Sequence, residues 1–180
     1  MKGVIFTEFA EMVEQSWSPE LWDDVLDSLR LDSDGAYTAV GNYDYRELAA
    51  IVEELSHRTG VDRDGLHFQF GKHLLRRFAD KFPEFFDHPD AFSFLETVDG
   101  RIHVEVLKLY PDAAPPDIAT TRVDADTLLL GYESKRSLAD FAHGMIQAAV
   151  EHFGGGVEVV RRPTPHGATF TLHQCTGAPA

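Results

Sequence analysis

Residues 118–132, IATTRVDADTLLLGY, decide the fold class. The runs 118–123 and 127–132 are strand-like and the stretch 124–126 between them supplies a turn, so the segment reads as an antiparallel hairpin. Pro111, Pro115 and Pro116 mark where the β character begins. Beyond the hairpin, Ser137 is placed to cap a long helix whose core face is Leu138, Phe141, Met145, Ala149 and Phe153, and the glycines at 154–156 stop it. Two further strands, 157–162 and 168–173, are joined by a turn containing Pro163, Pro165 and Gly167. The tail after Gln174 is expected to fray.

Towards the N-terminus the periodicity changes from two to that of a helix. Val4, Ile5, Phe9, Met12 and Val13 predict an amphipathic first helix. Ser18, Pro19 and Glu20 form a start signal for a second, which carries Leu21, Trp22, Val25, Leu26 and Leu29. Asp44 with Glu47 resembles a capping box opening a third helix, and Leu48, Ile51, Val52 and Leu55 continue it to Gly60. Leu66, Phe70, Leu74 and Phe78 fall four apart on a fourth helix that Pro83 ends, with Gly71 permitting a close approach inside it. A short aromatic helix is expected over 92–98. Segment 101–110, RIHVEVLKLY, is ambiguous: Ile102, Val104 and Val106 alternate as in a strand, whereas His103, Leu107 and Tyr110 share a helix face. The local pattern leans towards strand. An N-terminal helical part of about 1–84, followed over about 85–175 by a four-stranded antiparallel sheet with an inserted helix, is an α+β fold, expected as a single domain over 1–180.

The chain of 180 residues is 43% hydrophobic, enough for a sizeable core. It carries 30 acidic against 16 basic side chains, a net charge of −14. That balance argues against nucleic acid and anionic membranes as partners. The lone Cys175 precludes an intramolecular disulfide, the opening MKGVIFTEFAEMVEQ carries acids where a signal peptide has an apolar run, and no stretch approaches the ~20 apolar residues of a membrane span. A cytoplasmic location is expected.

Nine histidines are the natural place to look for metal chemistry. His57 and His88 sit beside turn residues and read as solvated. His152, near a helix end, reads as a favourable dipole partner. His67 and His73 lie six apart, on different helix faces. His166, His173 and Cys175 have no recognised ligand spacing. Phosphate loops, metalloprotease motifs and nucleophile elbows are missing from the sequence, so no hydrolytic or phosphoryl-transfer engine is visible. His103 differs in context. About thirty residues after it come Tyr132, Ser134 and Arg136, at alternate positions of GYESKRS. If the strand continues to Arg136, a phenol, a hydroxyl and a guanidinium share one face, donors suited to one or two carboxylates.

Together, the opening MKG, the segment IHVEVLKLYPDAAPP and the Y-x-S-x-R signature at Tyr132, Ser134 and Arg136 resemble the heme nitric oxide/oxygen binding family, H-NOX, related to the heme domain of soluble guanylate cyclase. The resemblance runs from Met1 to about Gly156. It implies that His103 is the axial ligand of heme iron, that Tyr132, Ser134 and Arg136 bind the propionates, and that Pro116 presses on the porphyrin. It also implies a helix over 101–110, overriding the local preference, and a heme b between the helical part and the sheet. The distal residues by resemblance are Ile5, Phe9, Leu74 and Phe141, all apolar. Phe141 stands where oxygen-binding members carry a tyrosine, nine residues after the signature tyrosine.

The resemblance thus implies a bacterial sensor, not an enzyme, taking nitric oxide and carbon monoxide at ferrous heme and holding oxygen poorly. Nitric oxide would weaken the bond from iron to His103, let the porphyrin relax against Pro116, and shift the helices carrying Ile5 and His103. The signal would pass to a separate histidine kinase, or to a diguanylate cyclase or phosphodiesterase. The acidic surface then suits a basic patch on that partner. The C-terminal cysteine and histidine zinc cluster of some relatives is reduced here to Cys175. A heme-free interaction domain of the same fold is the alternative reading.

Overall fold

The computed structural model describes residues 1–136 and 138–175; the expected Ser137 cap and the last five residues of the tail lie outside the described residues. The chain divides into two compact units, Met1–Leu66 and the remainder from His67 onward.

The first unit holds α1 (Gly3–Ser16), α2 (Pro19–Ser28), α3 (Tyr45–Thr59) and the start of α4 (Arg63–Lys81). Its helices meet through the apolar stripes read from sequence: Phe9, Met12 and Val13 of α1, Trp22 and Val25 of α2, and Leu48, Ile51, Val52 and Leu55 of α3 are buried. Phe6 joins them, stacked on Tyr37 at 4.4 Å between ring centroids. Ile5 is half-buried. Ser18 caps α2 as expected, its hydroxyl accepting from the Leu21 amide at 3.2 Å, and Gly60, at φ 74°, closes α3 in the left-handed conformation that glycine tolerates.

The capping box at α3 is only half formed. Asp44 accepts from the Arg46 amide at 2.9 Å, but Glu47 turns inward and is 8% exposed. It accepts from the Ser33 amide at 3.2 Å, from the Ser33 hydroxyl, and from the Tyr37 hydroxyl at 2.7 Å. The irregular segment between α2 and α3 has polar groups that need partners, and a buried carboxylate supplies three acceptor sites at once. Burial pushes the Tyr37 phenol well above the ordinary tyrosine range. Glu47→Ala is therefore expected to cost about 1–3 kcal/mol of stability, read from a urea titration, because it leaves these donors without their acceptor.

The second unit continues α4 and then runs through a 3-10 turn, Pro83–Phe85, α5 (Ala91–Leu95), a π-helical turn, Val98–His103, α6 (Val104–Leu109), β1 (Asp117–Arg122), β2 (Thr127–Glu133), α7 (Ala139–His152), β3 (Val157–Thr164) and β4 (Gly167–Gln174). The strands form one antiparallel sheet in the order β1-β2-β4-β3, with Ile118 opposite Tyr132 and Tyr132 opposite Ala168. Alternation along β2 and β4 buries Leu128, Leu130 and Tyr132 beside Ala168, Phe170 and Leu172. That face forms one core with α5 and α7.

Three expectations change. Segment 101–110 is helical, as the resemblance implied and the local pattern did not. Val98 and Ile102, one turn apart, pack on the core, whereas Val104 is 42% exposed, so the alternation did not track burial. On α7 the expected face is only partly the buried one. Ala139, Ala142, Ile146, Ala149 and Val150 are buried in the core and Met145 and Phe153 pack half-buried against it, while Phe141 sets its ring towards Phe70 on α4. His88 is not a solvated turn residue: its Nε2 is buried and its ring stands 6.0 Å from that of Phe94, beside the stacked Phe86 and Phe94 pair. His152 also packs on Phe86, at 5.2 Å. His57 is solvated as read, 3.4 Å from Glu53.

Candidate functional site

His103 closes the π-helical turn. That turn is held by the Ile102 amide donating back to the Thr97 carbonyl at 3.3 Å, and by the Thr97 hydroxyl donating to Phe94 at 2.7 Å. With Val98 and Ile102 anchored in the core, the His103 backbone has little freedom. Its side chain is 16% exposed, and Nδ1 lies 3.4 Å from Asp99 Oδ1, one turn back. The contact is long for a hydrogen bond but orients the ring, and it commits Nδ1 while leaving Nε2 as the nitrogen for another partner. Burial lowers the imidazole pKa, against the opposing pull of Asp99, so the neutral, metal-ligating form is favoured. Leu107, one turn on, is apolar and 38% exposed.

Tyr132, Ser134 and Arg136 gather at the end of β2. The strand stops at Glu133, short of Arg136, but the alternation persists: Tyr132 is buried, Glu133 and Lys135 are exposed, and Ser134 and Arg136 are half-buried. A local turn replaces the strand. The Ser134 amide donates to the His166 carbonyl at 3.0 Å, its hydroxyl accepts from the Arg136 amide at 3.2 Å, and Arg136 Nη1 donates to the Ala114 carbonyl at 3.0 Å. This last bond ties the guanidinium to the segment that enters β1. Pro116 immediately precedes β1, whose first residue, Asp117, pairs with Glu133, the last residue of β2. β1 in turn packs on the π-helical turn that ends in His103. The second unit thus links the histidine, the proline and the signature through one strand.

Of the residues read as distal, Leu74 is 2% exposed and Phe141 half-buried, both in the second unit. Phe70, which the site reading missed, sets its ring 5.2 Å from that of Phe141. Phe9 is fully buried in the first unit, where Ile5 is half-buried. Asp99 was also missed, although it stands four residues before His103 and becomes legible once the segment is helical. The donor set fits a heme: an imidazole whose burial favours the neutral form, and a phenol, a hydroxyl and a guanidinium suited to two carboxylates.

A profile of the haem-NO-binding family matches residues 2–161, and the chain belongs to that family of heme-based gas sensors. Its fold is that of solved H-NOX proteins. The unliganded Fe(II) protein from K. algicida is 29% identical, with a TM-score of 0.92 over 100% of both chains. The H-NOX from Shewanella woodyi, solved with IWP-051 in the Fe(II)CO state, is 34% identical over 99% of this chain and 97% of that one, with a TM-score of 0.84. The S. oneidensis protein in the Fe(II)NO state is 25% identical over 96% and 97%, with a TM-score of 0.86. No curated protein matches the chain.

Proposed function

We propose that this chain is a single sensing domain that binds nitric oxide and carbon monoxide at ferrous heme b, holds oxygen poorly, and signals to a separate protein. Bound ferrous heme supplies the iron at which the gases bind. The observation that carries the reading is His103, half-buried on a core-anchored turn with Nδ1 against Asp99, where burial lowers the imidazole pKa and so favours the neutral, metal-ligating form. His103 would be the residue that holds that iron.

Tyr132, Ser134 and Arg136 donate to the propionates, and Arg136 supplies positive charge locally against a chain total of −14. Pro116, the rigid ring that precedes β1, would press on the porphyrin and bias its shape. Ile5, Phe9, Leu74 and Phe141 offer no hydrogen-bond donor to a gas, which disfavours oxygen more than carbon monoxide or nitric oxide. A gas then moves the protein only as far as it binds two shapes with different free energies. The His103 helix and the helix carrying Ile5 are the elements that shift. The receiver is a histidine kinase, or a diguanylate cyclase or phosphodiesterase, and the setting is the bacterial cytoplasm. No helix among the described residues is long and apolar enough to cross a membrane.

The visible spectrum tests the reading. After heme reconstitution and reduction, a Soret band is expected that shifts under carbon monoxide and under nitric oxide. A protein that refolds but shows no Soret band would be the heme-free interaction domain instead.

A further inference from the structure

Three charged side chains surround His103 in sequence, and they point to different places. Arg101 lies over the Phe85 ring at 5.7 Å, and Glu105 accepts from Lys108 at 2.6 Å. Asp99 instead sets Oδ1 3.4 Å from His103 Nδ1. From β1, which packs on the same turn, Arg122 is held by Glu96 through bonds of 3.0 and 2.8 Å. Asp99 is thus the carboxylate placed to act on this imidazole.

The backbone makes that placement specific. The Thr97 carbonyl accepts from the Arg101 amide at 2.9 Å and from the Ile102 amide at 3.3 Å, which widens the turn from α to π geometry. Val98 and Ile102 pack on the core. Asp99 and His103 each follow one of them in sequence, so the anchoring that spaces the apolar pair also spaces the polar one. The His103 side chain is 16% exposed and that of Asp99 57%, which puts the carboxylate at the wet end of the contact.

A carboxylate can only accept, so the contact favours the tautomer with its hydrogen on Nδ1 and its lone pair on Nε2. An imidazole donating to a carboxylate is also a more basic ligand through its other nitrogen. At 3.4 Å the contact stands at the outer limit of hydrogen bonding, so the push on the ring is partial. We infer that Asp99 is a positioning residue for gas signalling: by holding the ring hydrogen on Nδ1 and lending charge to the imidazole, it sets how firmly His103 grips the iron and how readily nitric oxide loosens that grip. The inference rests on the heme-sensor reading above. It goes beyond that reading by giving the strength of the histidine bond to a residue that is not itself a ligand.

The test compares wild type, Asp99→Ala, Asp99→Asn and the control Glu105→Gln, which removes the same charge from the next turn without touching the His103 ring. In the heme-free protein, long-range proton–nitrogen correlation spectra of ring-labelled histidine report the tautomer of the neutral ring. Wild type and Glu105→Gln are expected to hold the hydrogen on Nδ1, and Asp99→Ala to return towards the mixture of free histidine. In the reconstituted ferrous protein, the iron–nitrogen stretching band is expected to fall in frequency in both Asp99 variants. The absorbance change after mixing with nitric oxide is expected to complete several-fold faster in the same two. A merely structural Asp99 would lower the melting temperature while leaving tautomer, band and rate at their wild-type values, and that result overturns the inference. Equal shifts in Glu105→Gln overturn it too, since they would assign the effect to overall charge. If Asp99→Ala does not fold, Asp99→Asn decides: it keeps an acceptor oxygen and loses the charge, so an unchanged band and rate there overturn the inference. Failure of the sensor reading is seen separately, as a wild type without a Soret band.

Discussion

Replacing His103 by glycine is expected to empty the protein of heme, and free imidazole to restore it. The side chain is 16% exposed and sits on a turn anchored by Val98 and Ile102, which the substitution leaves in place. The fold should therefore survive, at a cost of about 1 kcal/mol for glycine in a helix. What is lost is the imidazole proposed to hold the iron, while Asp99 remains to orient an added imidazole. Tyr132, Ser134 and Arg136, proposed to bind the propionates, would not replace that ligand. Soret absorbance per protein, with circular dichroism as the check on folding, reads the outcome. Heme content equal to wild type would remove His103 from its role.

Phe141→Tyr carries the second large effect. Wild type is expected to form no lasting oxygen complex in air, since Leu74 and Phe141 offer no donor. A phenol at 141 introduces one, on a half-buried ring that meets the apolar Phe70. A hydrogen bond of about 1–1.5 kcal/mol corresponds to roughly a tenfold gain in oxygen affinity. The same hydroxyl, unpaired in the heme-free protein, should cost about 1–3 kcal/mol of stability. Opposite signs for affinity and heme-free stability are a signature that a simple packing change would not give. An oxygen affinity unaltered by the substitution, or a wild type that already holds oxygen in air, would contradict the assignment of the distal side.

Local chemistry accounts for what was legible in the sequence. The hairpins followed from strand runs bounded by turn residues, and the helix starts from Ser18 and Asp44, because these signals lie within a few residues of their effects. Segment 101–110 was not legible in this way. Its alternation of Ile102, Val104 and Val106 coincides with helical spacing of Val98 and Ile102, and only the core decides between them. Glu47 read as a cap because its partners, Ser33 and Tyr37, lie in an irregular stretch whose path no periodicity reports. His88 read as solvated because Asp87 and Pro89 flank it, whereas the Phe86 and Phe94 pair draws its ring inward. On α7, Met145, Ala149 and Phe153 face the core as expected, whereas Phe141 meets Phe70 of α4, because a helix covered on two sides has no single stripe. Gly71 signalled a close approach, but its partner on α7 emerges only when the two helices are laid together. At the candidate site, His103 and the Tyr132, Ser134, Arg136 set were visible as residue types and as a family pattern. The Arg136 bond to Ala114 and the contact of Asp99 with His103 belong to the folded chain.

The iron–nitrogen stretching band in the resonance Raman spectrum of the ferrous protein is the most direct measure of whether His103 holds the heme iron. The band should be present in wild type, shift when histidine is isotope-labelled at the ring nitrogens, and disappear in His103→Gly until imidazole is added. A histidine-derived band that persists in His103→Gly without imidazole would contradict the assignment.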